Sequence, residues 1–136
     1  MLRKVCDRLW VGSSPTLKML DDSGADAVVC TIKKGTSEEV VNRVQYYSCY
    51  PIPDGKRFDE ELFRRAVSDA EFFMREGRTV LVHCRAGRNR SATVCAIILI
   101  RQGWDPLEAI KFIRFIRPRA IANPVFEARL LQGKFA

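Results

Sequence analysis

At 136 residues the chain is the size of one domain. With 47% hydrophobic and 29% charged residues it can bury a single core, which excludes gross disorder. The net charge is +7, and residues 69–136 hold most of the excess, with 12 Lys and Arg against 6 Asp and Glu. A basic half suits a polyanionic partner (phosphate ester, acidic lipid headgroup or nucleic acid) or is simply a solvated surface. No apolar run reaches the roughly 18–20 residues that span a bilayer. The longest, Ala92 to Ile100, is closed by Arg101, and the first residues lack the apolar stretch of a secretory signal. The five cysteines, Cys6, Cys30, Cys49, Cys84 and Cys95, form no Cys-x-x-Cys pair, and a single histidine cannot complete a zinc-finger spacing. Reduced thiols in a cytoplasmic compartment fit this usage.

In chain order, Val5 to Val11 reads as a hairpin turning near Asp7-Arg8. Ser14 and Pro15 then offer a cap and a first helical position for a helix carrying Leu17 and Leu20 and stopping near Gly24. Ala27 to Ile32 is a continuous apolar, β-branched run, the pattern of a buried strand, and Gln45 to Ile52 is a further strand candidate. Asp54-Gly55-Lys56 is a turn. From Asp59, acids in the first turn and Leu62, Phe63, Ala66, Val67, Ala70 and Phe73 at helical spacing predict a helix that Gly77 stops. Thr79 to Val82 is a short strand, followed by a loop over 83–91 and an apolar helix from Ala92 to Arg101. Asp105-Pro106-Leu107-Glu108 starts another helix. Its expected inward face is Leu107, Ile110, Ile113 and Ile116, with Glu108, Lys111 and Arg114 outward, and Arg117-Pro118-Arg119 ends it. Asn123-Pro124 caps a last helix with Phe126, Leu130 and Leu131. Trp10, Phe112 and Phe115 read as core aromatics, and Cys6, Cys30, Cys49 and Cys95 as core thiols. Strands alternating with helices predict an α/β fold with a central, mostly parallel sheet of about 4–5 strands. Ligands of such sheets sit beyond the carboxyl ends of strands, where residues 83–91 lie.

Within that loop Cys84 and Arg90 are separated by five residues. A short loop wrapping onto a helix N-terminus aims several backbone N–H groups at one point, which binds a dianion. Arg90 can fork two donors onto phosphate oxygens, and Gly87 permits backbone that a side chain forbids. The same positive field stabilises a thiolate at Cys84, a nucleophile for phosphorus.

His83-Cys84-Arg85-Ala86-Gly87-Arg88-Asn89-Arg90-Ser91 resembles the His-Cys-x-x-Gly-x-x-Arg-Ser/Thr signature of the cysteine-dependent protein tyrosine phosphatase superfamily. The short chain and the Ser-Ala-Thr continuation resemble its dual-specificity branch. Leu9-Trp10-Val11-Gly12-Ser13 is similar to that branch's opening strand, Tyr50-Pro51-Ile52-Pro53-Asp54 to its general-acid loop, and Asn123-Pro124-Val125-Phe126 to the Asn-x-x-Phe segment of its last helix. The resemblance implies one catalytic domain over 1–136, with the superfamily's fold and no metal or cofactor. It implies Cys84 as nucleophile, Arg90 as phosphate ligand, the backbone of Arg85, Ala86, Gly87, Arg88, Asn89 and Arg90 as donors, Ser91 as the hydroxyl that steadies the departing thiolate, and His83 as the residue that orients the loop. Asp54 is the expected general acid. Asp59 is the rival, though its setting is that of a helix cap. Arg85 and Arg88 occupy variable positions, where basic residues favour substrates with more than one phosphate; the alternative is two solvated arginines.

The chain lacks the substrate loop that deepens the pocket of tyrosine-specific members, so phosphoserine, phosphothreonine and non-protein phosphates should also enter. The leading expectation is a phosphatase of phosphoproteins, acting as a monomer. The competing readings are a phosphatase of a phospholipid or an RNA 5′-triphosphate, a non-catalytic phosphate reader, and a nucleic-acid-binding module. The last is unsupported by any aromatic–basic interleaving, so no obligatory nucleic acid is expected.

Overall fold

The apolar runs that end at Val11, Cys30 and Val82 lie side by side. In the computed structural model, which describes residues 1–135, β1 (Leu2–Cys6) and β2 (Leu9–Gly12) form an antiparallel hairpin. The helix α1 (Leu17–Ser23) leads to β3 (Ala27–Cys30), and α2 (Glu38–Arg43) leads to β4 (Tyr46–Cys49). Then come α3 (Glu60–Arg75), β5 (Val80–His83), α4 (Arg90–Arg101), α5 (Pro106–Ile116) and α6 (Pro124–Leu131). The sheet order is β1-β2-β5-β3-β4, and every pairing except β1–β2 is parallel. The chain therefore has the expected α/β architecture, with β5 at the centre. Register brings Gly12 of β2, His83 of β5 and Cys30 of β3 level with one another, so the loop after β5 leaves the sheet between two other strand ends.

Both faces of the sheet are covered, which is why β3 and β5 read as unbroken apolar runs. Ala27, Val29, Val80 and Val82 pack toward α3, α4, α5 and α6, whereas Val28 and Leu81 pack toward Leu20 of α1 and Val40 of α2. Helix α4 passes through the interior with every residue from Ser91 to Leu99 buried. Phe63 and Phe126, both buried, meet edge to face at 5.2 Å. Truncating either to Ala would cost about 3–5 kcal/mol. Among the described residues no helix is long and apolar enough to cross a membrane.

Several sequence expectations are corrected. The cap of α1 is Thr16, which accepts from the Met19 N–H, because Ser14 is held instead by the loop after β5: its N–H bonds Arg85 O and its hydroxyl bonds Cys84 O. Helix α2 was not anticipated. Strands β3 and β4 end at Cys30 and Cys49, short of Ile32 and Ile52. Helix α4 begins at Arg90 rather than Ala92.

On α5 only Ala109, Ile110 and Ile113 are buried. Leu107 is exposed, Ile116 half-buried and Phe115 82% exposed, so Phe115 is no core aromatic. A strict three-residue step drifts about 60° per step on a helix of 3.6 residues per turn. The series from Leu107 to Ile116 therefore crosses from one side of the helix to the other. Arg114, expected outward, is half-buried and donates to Ala120 O and Ile121 O at 3.0 and 2.8 Å. Leu131 is also exposed. Trp10 and Phe112 are half-buried against the core as expected. Of the expected core thiols, Cys30 and Cys95 are buried, while Cys6 and Cys49 are only partly so.

Candidate active site

Between β5 and α4 the backbone turns its carbonyls outward. Arg85 O accepts from Ser14 N–H at 3.3 Å and Arg88 O from Ile121 N–H at 2.7 Å. Arg117 supplies the other two bonds, Nη2 to Ala86 O at 2.5 Å and Nε to Gly87 O at 3.3 Å. In a trans peptide the N–H points opposite to the carbonyl. Four carbonyls tied to the outside therefore present the amides of residues 86 to 89 to the inside. One is observed there directly, since Gly87 N–H donates to Cys84 Sγ at 3.2 Å. Gly87 has φ +72°, and a Cβ on it would lie 2.6 Å from the Gly12 carbonyl carbon, so the loop closes against β2 only because no side chain intervenes. Arg117, Ser14 and Ile121 were not singled out from the sequence as parts of the site. Each acts through the backbone of its partner, which leaves no residue-type signal.

Cys84 is buried, and its N–H is anchored to Gly12 O at 3.3 Å. Its sulfur lies 3.1 Å from the hydroxyl of Ser91, which is fully buried in the first turn of α4. The sulfur thus faces a backbone N–H, a hydroxyl and the positive end of a helix, all of which favour a negative charge there. Arg90, the first residue of α4, has a buried Nε that makes no hydrogen bond to any described residue. Cys84, Gly87 and Ser91 of the signature are thus brought to one point, and Arg90 begins the helix beside them.

His83 is fully buried. Its Nδ1 lies 3.2 Å from Cys84 O, which can only accept, so Nδ1 donates to it, and Nε2 pairs with the Thr36 hydroxyl at 2.7 Å. Tyr47 continues the line by accepting from Thr36 N–H at 3.2 Å. Burial pushes the Tyr47 hydroxyl up to about 12 and the Cys49 thiol up to about 11. At Cys30, burial resists ionisation, but His83 together with hydrogen bonds from Ile32 and Thr36 outweighs it, bringing the thiol down to about 6. Burial holds the Cys95 thiol well above the usual range. Among the described residues no group of three or more His, Cys, Asp or Glu side chains is placed to share a metal ion.

The exposed turn after Ile52 carries Asp54 to the same end of the sheet. Its Oδ2 accepts from Asn89 Nδ2 at 3.1 Å and its Oδ1 from Asn123 Nδ2 at 2.9 Å. Asp59 is occupied elsewhere. It caps α3 by accepting from Leu62 N–H at 3.1 Å and pairs with Arg57 at 2.8 Å. Arg85, Ala86 and Arg88 stand exposed around the loop. The arrangement brings a buried thiol, a loop with inward-facing amides and a carboxyl group to one end of the sheet, a set suited to transferring a tetrahedral anion and protonating what leaves it.

The comparisons agree with this geometry. A family model described as "Dual specificity phosphatase, catalytic domain" matches residues 9–134. Human dual specificity protein phosphatase 1 is 32% identical over 116 residues, which cover 84% of this chain and 31% of that protein. Rat phosphatidylglycerophosphatase and protein-tyrosine phosphatase 1 is 44% identical over 61 residues, 44% of this chain and 32% of that protein. The chain thus spans about a third of the length of these curated relatives. The crystal structure of human DUSP28 matches with a TM-score of 0.82 at 25% identity, over 98% of this chain and 92% of that one.

Proposed function

The chain belongs to the dual-specificity phosphatase family, and from that membership we propose that residues 1–136 form one monomeric catalytic domain that hydrolyses phosphate monoesters through a cysteinyl-phosphate, without a metal. The Cys84 thiolate attacks phosphorus, and the bond to the leaving oxygen breaks as Asp54 gives that oxygen its proton. Arg90 and the inward amides of residues 86 to 89 hold the non-bridging oxygens as charge shifts onto them. In the second step Asp54, now a carboxylate, takes a proton from the attacking water. The S–P bond breaks, and the Ser91 hydroxyl donates to the returning thiolate, releasing inorganic phosphate. His83 fixes the Cys84 carbonyl and through it the start of the loop.

The observation that carries this reading is the Cys84 sulfur held inside the ring of amides, 3.2 Å from Gly87 N and 3.1 Å from Ser91 Oγ. The shallow surround, with Ala86 and Asp54 both exposed, supports access by phosphotyrosine, phosphoserine and phosphothreonine in proteins. Five cysteines without a disulfide among them suit a reducing, cytoplasmic setting.

A second reading, a phosphatase of phospholipid headgroups or another non-protein polyanion, is favoured by the exposed Arg85 and Arg88 beside the loop and by the relative named as a phosphatidylglycerophosphatase. A panel in chelator-treated buffer decides between them, using an aryl phosphate, phosphopeptides, phosphoinositides and a 5′-triphosphate RNA. Phosphopeptide turnover that Asp54→Asn lowers about 100-fold or more, with binding retained, is expected. Intact turnover in Asp54→Asn together with its loss in Asp59→Asn would overturn the acid assignment. If Arg85→Ala and Arg88→Ala slow phosphoinositides and phosphopeptides equally, the second reading fails. Absence of turnover on every substrate with retained phosphate binding would make the protein a reader of phosphate.

A further inference from the structure

Asn89 stands at the N-cap of α4, where an Asn side chain ordinarily accepts from the first-turn amides. Here it makes no such capping bond. Its Oδ1 instead accepts from Ala122 N–H at 2.8 Å and Asn123 N–H at 3.2 Å. Those two donors fix the orientation of the amide, because only the oxygen can face two N–H groups. Nδ2 must then point the other way, and it does so toward Asp54 Oδ2 at 3.1 Å. Asn123 repeats the pattern from the other side. Its Oδ1 caps α6 by accepting from Val125 and Phe126 N–H, and its Nδ2 reaches both Asp54 Oδ1 at 2.9 Å and Gly55 O at 3.0 Å. Each amide is oriented by backbone donors on its oxygen, and each spends its N–H on the same carboxylate.

We propose that Asn89 is a positioning residue for the acid–base step: with Asn123 it clamps the Asp54 carboxyl group, one oxygen to each amide, and ties the acid-bearing turn to the phosphate-binding loop. This rests on the reading of Asp54 as the general acid. Asp54 lies on an exposed turn, outside any helix or strand, with no apolar packing of its own to hold it. Asn89 immediately precedes Arg90, so the acid is indexed to the residue that holds the phosphate. Asn89 Nδ2 and Asn123 Nδ2 donate to the charged form that Asp54 takes on once it has released its proton, so the clamp assists transfer to the leaving group. The side chain of Asn89 is therefore a support of the acid, beside the part its backbone amide plays toward phosphate.

The test is the dependence of kcat/KM on leaving group, which reports the step in which Asp54 gives up its proton. Wild type, Asn89→Ala and Asn89→Asp are compared on p-nitrophenyl phosphate, whose anion leaves readily, and phenyl phosphate, whose anion needs a proton. Asn89→Asp keeps the acceptor for Ala122 and Asn123 but loses the donor to Asp54. The proposal expects the ratio of the two kcat/KM values to rise about tenfold in both variants, the size of one hydrogen bond to a charged group. It also expects Asn89→Ala to add little to that ratio in an Asp54→Asn background. Equal slowing of both substrates would overturn it, as would a normal ratio in Asn89→Asp beside a raised one in Asn89→Ala, because the tie to residues 122 and 123 would then carry the effect. A wild-type protein inert on both esters would instead overturn the phosphatase reading itself.

Discussion

Adding a methyl group at Gly87 perturbs the ring of amides without touching a functional side chain. Two costs follow from the structure. Gly87 has φ +72°, and holding an L-residue there costs about 1–2 kcal/mol. The new Cβ would also lie 2.6 Å from Gly12 C, 2.8 Å from Ser13 N and 2.9 Å from Gly12 O. Carbon–carbon contacts settle near about 3.5–4.0 Å, so loop and strand must separate by roughly 1 Å. Both neighbours are backbone, so no rotamer relieves the overlap, and overpacking of this kind adds about 1–3 kcal/mol. For a domain this long, the sum of about 2–5 kcal/mol lowers the melting temperature by roughly 10 °C.

The displaced atoms matter for chemistry as well. Gly12 O holds Cys84 N–H, and Gly87 N–H holds the sulfur, so kcat/KM should fall about 100-fold or more. Gly77→Ala is the control. Gly77 has φ +80° with nothing within 4 Å of its would-be Cβ, so it incurs the conformational cost alone. Melting curves and aryl phosphate kinetics on the two variants measure the difference. If Gly87→Ala melts and turns over like Gly77→Ala, the close approach of loop to β2 does not shape the site.

Arg117→Ala removes both guanidinium bonds to the loop carbonyls, each of a class worth about 1.5–3 kcal/mol, so inhibition by orthovanadate should weaken about tenfold or more; an unchanged inhibition constant would show that the carbonyls need no such tether. Asp69 accepts from Tyr50 and Ser48 hydroxyls at 2.6 Å each, and that bond to Asp69, then burial, pushes Tyr50 up to about 12. Its folded value lies above the unfolded one, so its contribution to stability is intact below about pH 10 and lost as pH rises toward 12. Urea midpoints should therefore fall over that window, and fall less steeply in Tyr50→Phe; identical slopes would refute the role of the Tyr50–Asp69 bond.

Much of the site was legible because its parts are contiguous. Cys84, Gly87, Arg90 and Ser91 come from one strand–loop–helix segment whose spacing has a direct physical reading. Asp54 was singled out by the resemblance of residues 50 to 54 to a general-acid loop, while the capping signature set Asp59 aside as the start of α3. What stayed hidden lies on the outer side of the loop. Arg117 reads as a helix terminator and Ser14 as a cap, and Ile121 carries no sequence signal, yet all three hold carbonyls of residues 85 to 88. Their roles depend on segments that meet only after folding. The same is true of Thr36, which reaches His83 from a loop nearly fifty residues upstream. In the fold, α2 was missed because its six residues bury only Val40, too little for a periodic signal. Phe115 misled because aromatic character was taken for burial, when the stripe of Ala109, Ile110 and Ile113 places it on the far side of α5.

Quenching the reaction in acid within milliseconds of adding a radiolabelled aryl phosphate, then mapping the label, tests the sulfur's part in the chemistry. The account predicts phosphate on the sulfur of Cys84, more of it in Asp54→Asn, where water activation is impaired, and none in Cys84→Ser. Steady turnover with no phosphorylated Cys84 at any time, or label on His83 instead, would contradict it.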